Sequence, residues 1–322
     1  LDDLVWHLDE PFGDSSAIPT YMVSKMAAEH VTVALSGDGG DELFAGYERY
    51  TVEGRERVFR FVPGPARRML GRLVQAMPAR MRGRNYLRHM SLPGIERYLD
   101  AGTIFRREEV AELVRPEVCD LLADYDPWEE ARTHLRSVGG HWLSALQSLD
   151  LHTYLPLDIL TKVDRMSMAH SLEARVPLLD HRLVEFAATV PPELQLRGGT
   201  TKYLLKRAMR PVLPDSVVFR RKQGFAVPLG RWFGGGFNEL LRDVLLSDTV
   251  RRRGIFDVAA LEYRLSHGRR DGGLGLDLWT LLSFELWCRA FLEGTRAPRP
   301  RPSPDARVPL HTPAWNQNGA LT

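Results

Sequence analysis

Val31-Thr-Val-Ala-Leu-Ser-Gly-Asp-Gly-Gly-Asp-Glu-Leu-Phe-Ala-Gly-Tyr47 puts an apolar, β-branched run directly before a glycine-rich turn. The run from Val31 to Leu35 predicts a short buried strand. The turn begins at Ser36, and a helical pattern follows it. Strand, glycine turn and helix together present free backbone N–H groups to an anion. Asp38, Asp41 and Glu42 sit in the same turn and would repel bare phosphate. The two features agree if Mg²⁺ lies between carboxylate and phosphate, since Mg²⁺ takes one or two carboxylates plus phosphate oxygens. The same residues also suit a well-capped helix start, because Ser and Asp are good N-caps and acidic residues complement the macrodipole there. On physics alone both readings stay open.

Upstream, residues 14–28 read as a capped amphipathic helix. Helix, strand, glycine turn and helix form one α/β unit of a parallel sheet. No comparable series of strands follows, and from about residue 50 the periodicity is mostly helical. Val62-Pro-Gly-Pro-Ala66 and Ser91-Leu-Pro-Gly94 read as hinges around an arginine-rich stretch, 67–88, taken as a solvated face or lid. From residue 294 the chain is rich in Pro and Arg and reads as a disordered tail. The 322 residues carry 44% hydrophobic and 26% charged side chains, ordinary for a globular protein. The formal charge of +2 gives no global field, so neither nucleic acid nor a membrane is expected as partner. Cys119 and Cys288 match no metal or redox spacing, which fits a reducing cytoplasm. The first residue is Leu1, inside a helical pattern, so the chain is read as the later part of a longer one.

A second stretch, Asp158-Ile-Leu-Thr-Lys-Val-Asp-Arg-Met-Ser-Met-Ala-His-Ser-Leu-Glu-Ala-Arg-Val-Pro-Leu-Leu-Asp180, concentrates charge. As a helix it puts Asp164, Ser167 and Ser171 on one face, with Leu160, Val163, Met168 and Leu172 on or beside the other. Asp164-Arg165 and Glu173-Arg175 then pair charges at its ends, either as a structural ion network or as part of a site. In Gly198-Gly-Thr-Thr-Lys-Tyr-Leu-Leu-Lys-Arg207, Thr200 or Thr201 is the expected N-cap. Lys202 would then fall in the first helical turn, where a bound anion would offset an unfavourable cation. Arg220-Arg-Lys-Gln-Gly-Phe-Ala-Val-Pro228 is a basic turn that either binds pyrophosphate or lies on the surface. Asp9-Glu-Pro-Phe12 reads as a solvated carboxylate pair, and the ten histidines form no zinc-ligand spacing.

Ser36-Gly-Asp-Gly-Gly-Asp-Glu42 with Gly46-Tyr47 resembles the signature loop of the glutamine-hydrolysing asparagine synthetases. The resemblance extends over about residues 1–293 and takes in the stretches around Asp164, Lys202 and Lys222. It implies an α/β fold: part of an adenine-nucleotide alpha-hydrolase-like (ATP pyrophosphatase) parallel-sheet domain, followed by a mostly helical region. It further implies ATP and Mg²⁺ as cofactors, and aspartate and ammonia as substrates. The aspartate side chain would be adenylated to β-aspartyl-AMP, and ammonia would convert this to asparagine. By the resemblance, Ser36 and Gly37 contact the AMP portion, and Asp38 serves formation of the adenylate. Asp41, with Glu42, holds magnesium pyrophosphate. Lys202 stabilises charge on the pentavalent phosphorus and the intermediate. Gly39, Gly40, Asp164, Arg165, Ser171, Glu173, Arg175 and Lys222 line or brace the site.

The family's Ser-Gly-Gly-x-Asp-Ser loop and its glutaminase domain, with an N-terminal cysteine nucleophile, do not occur in this sequence. Both are expected upstream, and a homodimer would form through that upstream domain. Relatives that adenylate other carboxylates (β-lactam synthetases, lasso-peptide cyclases, polysaccharide amidotransferases) share these motifs. A non-catalytic helical partner is the alternative of a different class.

Overall fold

The computed structural model describes residues 1–77, 81, 83–220, 224, 227–232, 237–267 and 275–294. Leu4, Val5 and Leu8 share one face of α1 (Asp2–Leu8), and all three are buried. Leu4 and Leu8 meet Ala17 at the start of α2 (Ala17–Ala28) and Met166, forming a small core. Asp14 organises the entry to α2 by accepting from the Ser16 N–H at 2.9 Å and from the Ser16 hydroxyl. Pro19 lies in the first turn, where a helix has no partner for an N–H in any case.

β1 (Val33–Leu35) pairs in parallel with β2 (Glu173–Arg175), registering Val33 with Glu173 and Leu35 with Arg175. These are the two strands of the sheet among the described residues. The fold is thus a mostly helical α/β arrangement with a small parallel sheet. The strand is not buried as its composition predicts. Val33 is 38% exposed and Leu35 is 75% exposed, while Ala34 between them is half-buried. Met22, Val23 and Met26 of α2 are exposed as well, so the expected amphipathic burial of this helix is incomplete.

After β1 the chain makes the short helix α3 (Gly40–Leu43) and then the longer α4 (Glu48–Glu56). Gly39 caps α3 with φ +80°, a left-handed conformation that L side chains resist. Further on, the two Pro-Gly clusters start helices. Pro63 precedes Gly64–Ala76 and Pro93 precedes Gly94–Ala101. The arginine-rich stretch forms two helices packed together, Gly64–Ala76 and Arg84–Ser91, with Arg88 and His89 turned to the buried Asp100. Tyr50 and Tyr98 join Leu143, Leu146 and Leu149 in one helical core. A larger core nearer the C-terminus is built on Leu241, Leu245, Leu261 and Leu282, all fully buried. Among the described residues no helix is long and apolar enough to cross a membrane.

The second sequence stretch departs most from expectation. It is not one helix. Residues Leu155–Leu160 wind as a π-helix, Thr161–Met168 as an α-helix, and the chain then turns through Ser171 at φ +57° into β2. Ser171 therefore leaves the face predicted for it. Ser167 is buried while Asp164 is exposed, so the two do not share a surface. The buried side carries Lys162, Met166 and Ser167, and Met168 points out.

Burial of Lys162 explains the altered phase. Its ammonium pairs with Asp14 and, at 3.5 Å, with Asp158, tying the entry of α2 to the π-helix. Burial works against ionisation of Asp14, but Lys162 and Ser16 outweigh it and hold its carboxyl below the usual range. Burial and the nearby Asp14 push Asp158 up to about 6, against the pull of Lys162. A carboxyl with a raised pKa stabilises the fold in its protonated form. That contribution is complete below about pH 4 and is lost as the pH rises through 6. Thermal melts of Asp158→Asn against the unaltered protein should show the variant gaining relative stability between pH 4 and pH 7. A constant difference across that range would exclude this assignment. A second expectation concerns Gly39. A Cβ there would lie 2.2 Å from Leu179 Cδ2 in addition to its left-handed φ. Gly39→Ala should cost about 1–3 kcal/mol in urea unfolding, whereas alanine at the exposed Gly83 should cost no more than its own positive φ demands.

Candidate functional site

The glycine turn is held from three sides. From the sheet, the Ser36 N–H donates to the Arg175 carbonyl at 2.8 Å, extending the β1–β2 ladder into the turn. The Ser36 hydroxyl donates to Asp38, fixing that half-buried carboxylate beside the end of the strand. From above, Leu178 and Leu179, which follow β2, pack on the glycines. A Cβ on Gly40 would come within 2.8 Å of Leu178 Cδ1. The first and second sequence signatures, far apart along the chain, are therefore one structure.

From the third side comes Lys202. Its ammonium lies 3.0 Å from Asp41 Oδ1, with both side chains about one quarter exposed. Its backbone N–H donates to the Phe44 carbonyl at 3.0 Å. Lys202 is itself the N-cap of the helix Tyr203–Met209, at φ +52°, so neither Thr200 nor Thr201 takes that place. Gly198 and Gly199, both with positive φ, and a bridge between Arg197 and Thr200 form the tight turn that delivers it. Gly46 leaves room for the contact. A Cβ on Gly46 would stand 1.9 Å from Asp41 Oδ1 and 2.3 Å from Lys202 Cε.

Glu42 points the other way. It is 1% exposed, accepts from the Tyr47 hydroxyl, and is held above the usual carboxylate range chiefly by burial. Its carbonyl accepts from Gln147 Nε2 at 2.8 Å, and Gln147 in turn meets Gln195. Gln147 satisfies carbonyls at the end of α3 from inside the core, and Gln195 does the same for Ala187 and Val190 at the end of the helix His181–Thr189. Beneath Tyr47 lies an aromatic cage. The Arg49 guanidinium stands 4.5 Å from the Tyr47 and Tyr154 ring centres and 2.8 Å from Asp150. Tyr50 and Tyr98 donate to the same buried Asp150, the latter at 2.6 Å. Burial raises the pKa of all four tyrosines, so they act as neutral donors and ring faces.

The remaining predicted residues lie outside this cluster or beyond the described chain. Asp164 is exposed, and Arg165 pairs with Asp9 at 3.1 Å, giving Asp9 of the Asp-Glu-Pro-Phe segment a partner. Glu173 and Arg175 pair with each other on β2 at 2.7 Å, both exposed. Lys222 and the tail from 294, apart from Gly294 itself, fall outside the described residues. Sequence reasoning passed over Gln147, Gln195, Arg49 and Asp150, whose roles rest on contacts across long separations. Burial of Lys162 did have a signal, the acidic residue four positions before it.

Chemically, the site offers two carboxylates on one turn, an ammonium against one of them, and a strand end with free backbone. Among the described residues, no group of three or more His, Cys, Asp or Glu could hold a metal ion alone. Asp38 and Asp41 are the partly exposed carboxylates of the turn, and carboxylates are the oxygen donors that Mg²⁺ takes alongside phosphate and water.

A family profile described as asparagine synthase matches residues 1–289. Asparagine synthetase [glutamine-hydrolyzing] 1 of Bacillus subtilis is 36% identical over 292 residues, covering 89% of this chain and 45% of that protein. A putative asparagine synthetase [glutamine-hydrolyzing] of Mycobacterium tuberculosis is 36% identical over 309 residues, covering 93% and 45%. A third, from Methanocaldococcus jannaschii, reaches 64% identity over 47 residues, 15% of this chain and 9% of that protein. The chain thus spans under half the length of these relatives. On the extent of the profile match and of the identity, the chain belongs to the asparagine synthase family.

Proposed function

We propose that the whole protein containing this chain is an ATP-dependent amide-forming ligase. It adenylates the aspartate side-chain carboxylate, and ammonia released from glutamine by a further domain attacks the β-aspartyl-AMP. Asparagine, AMP and pyrophosphate leave. The observation that carries this reading is the Asp41–Lys202 pair, 3.0 Å apart on a glycine turn at the end of a parallel strand. Such a turn suits an anion, and the acids on it suit an anion that arrives with a metal.

Ser36 and Gly37 would contact the AMP portion from the strand end. Asp38, steadied by the Ser36 hydroxyl, and Asp41 would hold magnesium, which when bound would neutralise phosphate charge. With Asp41 engaged there, the Lys202 ammonium turns to the charge that builds on the pentavalent phosphorus and then on the acyl-adenylate. Adenylation needs such preorganised charge more than covalent help. Glu42, locked against Tyr47, keeps α3 in place in this reading, leaving Asp41 to face the metal. Arg175, whose carbonyl accepts from Ser36, and its partner Glu173 would brace the edge of the site.

The sheet belongs, in this proposal, to an ATP pyrophosphatase-type domain over 1–293 whose earlier part lies in the longer protein. Exposure of Val33 and Leu35, which point to the same side of β1, supports it, since an apolar strand face suits a covered surface.

Two substitutions in the full-length protein test the site through aspartate-dependent pyrophosphate release. Asp41→Asn should abolish release and leave glutaminase activity intact; near-normal release would defeat the metal assignment. Lys202→Ala should slow release about 10²–10³-fold, the usual loss for one preorganised electrostatic donor. A change under about threefold would make Lys202 a surface lysine.

A further inference from the structure

The formal charge of +2, taken over the whole chain, speaks against a membrane partner, but it conceals an uneven distribution. From Arg57 to Ile95 the chain carries nine arginines and neither Asp nor Glu, so the remainder is net acidic. The helix α5 (Gly64–Ala76) lies within this run and packs on α6 (Arg84–Ser91). A Cβ on Gly71 would lie 3.6 Å from Ser91 Oγ, and Val74 is the buried residue of α5, so these two positions mark its inner side. Arg68, Met69, Arg72, Leu73 and Ala76 are exposed and, at about 100° per residue, fill the opposite side. Met69 is 63% exposed and Leu73 is 57% exposed, and they form one i, i+4 row. Arg68 and Arg72 form a second row beside it, and among the described residues neither has an ion-pair partner. Other arginines of the run are engaged elsewhere. Arg88 pairs with the buried Asp100, Arg84 donates to the Val74 carbonyl, and Arg57 stands over the Trp142 ring at 5.1 Å. Phe61, just before α5, is 72% exposed.

A row of arginines beside a row of long aliphatic side chains suits one boundary. The aliphatic groups gain by leaving water for hydrocarbon. An Arg stem lies on the same apolar surface while its guanidinium holds a phosphate. We propose that the outer face of α5 is a docking surface for a membrane that carries anionic phospholipid. Thirteen residues are too few to span a bilayer, so the helix lies in the interface plane. Met69 and Leu73 enter the acyl boundary, and Arg68 and Arg72 hold lipid phosphate. The acid-free run from Arg57 to Ile95 supplies the charge complement of such a surface. Nucleic acid is the poorer match, because α5 carries no aromatic side chain on which a base could stack. The proposal does not depend on the adenylating function.

The test is flotation of the full-length protein with vesicles, without ATP or aspartate. One set is phosphatidylcholine alone, and the other is an equimolar mixture of phosphatidylcholine and phosphatidylglycerol. The protein should float with the mixed vesicles and not with the neutral ones, and high salt should weaken the binding. Two double variants divide the contributions. Arg68→Gln with Arg72→Gln should lower partitioning about tenfold or more, since each basic side chain near an anionic surface adds to binding. Met69→Ser with Leu73→Ser should lower it by about tenfold or more as well, through lost apolar burial. All four residues are exposed or nearly so, and thermal melts of both variants should match the unaltered protein. Arg251→Gln with Arg252→Gln removes the same charge from another helix and should leave partitioning unchanged. Failure of the unaltered protein to float with the mixed vesicles overturns the proposal, and so does an equal loss in the Arg251 and Arg252 pair. Floating that survives Met69→Ser with Leu73→Ser overturns it too. If a single-stranded oligonucleotide binds through Arg68 and Arg72 while the mixed vesicles do not, the face reads nucleic acid and the membrane assignment falls.

Discussion

The site depends on one ion pair that the chain can form only if one residue has no side chain. Asp41 and Lys202 are separated by most of the helical part of the molecule, yet their charged atoms sit 3.0 Å apart over Gly46. The pair is a quarter exposed, so its own contribution to stability is small. Its importance is positional. The backbone of Lys202 is also bonded to the Phe44 carbonyl, so the turn bearing Asp41 and the helix start bearing Lys202 are joined by two contacts. Tyr47, immediately after Gly46, then anchors the same turn from below through Glu42 and the Arg49 cage.

The surroundings divide polar groups by burial. Beneath the turn, Glu42, Gln147, Gln195 and Asp150 are nearly inaccessible, and each has donors or acceptors supplied by the core. Buried polar groups so satisfied specify one arrangement, because any other leaves them without partners in a low dielectric. Above the turn, Asp38, Asp41 and Lys202 keep partial access to solvent. The two acids of Asp41-Glu42 are neighbours in sequence and look alike there. In the fold one is buried against Tyr47 and the other is partly exposed beside Lys202. A four-residue helix is what separates them, since α3 points consecutive side chains about 100° apart.

This division shows which features a sequence carries. The glycine turn was legible because its spacing encodes local backbone, whereas Lys202 was singled out by resemblance and its own place as a left-handed N-cap had no local signal. Gly39 needs its positive φ, and a strand must end where the turn begins. The second signature was misread in phase because helical periodicity assumes 3.6 residues per turn throughout. Six residues of π-helix before Thr161 shift the face, and a buried lysine between two carboxylates takes a place that apolar counting assigns to Leu or Val. The strand was recognised by composition, but its exposure was not, since burial depends on what lies over a sheet. Gln147, Arg49 and Asp150 left no local signal at all. Their partners are fixed by tertiary packing of helices that a linear pattern cannot bring together.

The π-helix also bears on how the two signatures came to cooperate. A π turn widens the helix and re-aims the residues that follow. Here it sets Asp158 against Lys162 and Asp14, and the next helix then ends where β2 must begin to pair with β1. From there the Ser36 N–H bond to the Arg175 carbonyl carries the same sheet into the glycine turn, where the Ser36 hydroxyl meets Asp38. The buried lysine thus stands on the chain segment that leads into β2, without touching any group that the proposed chemistry uses.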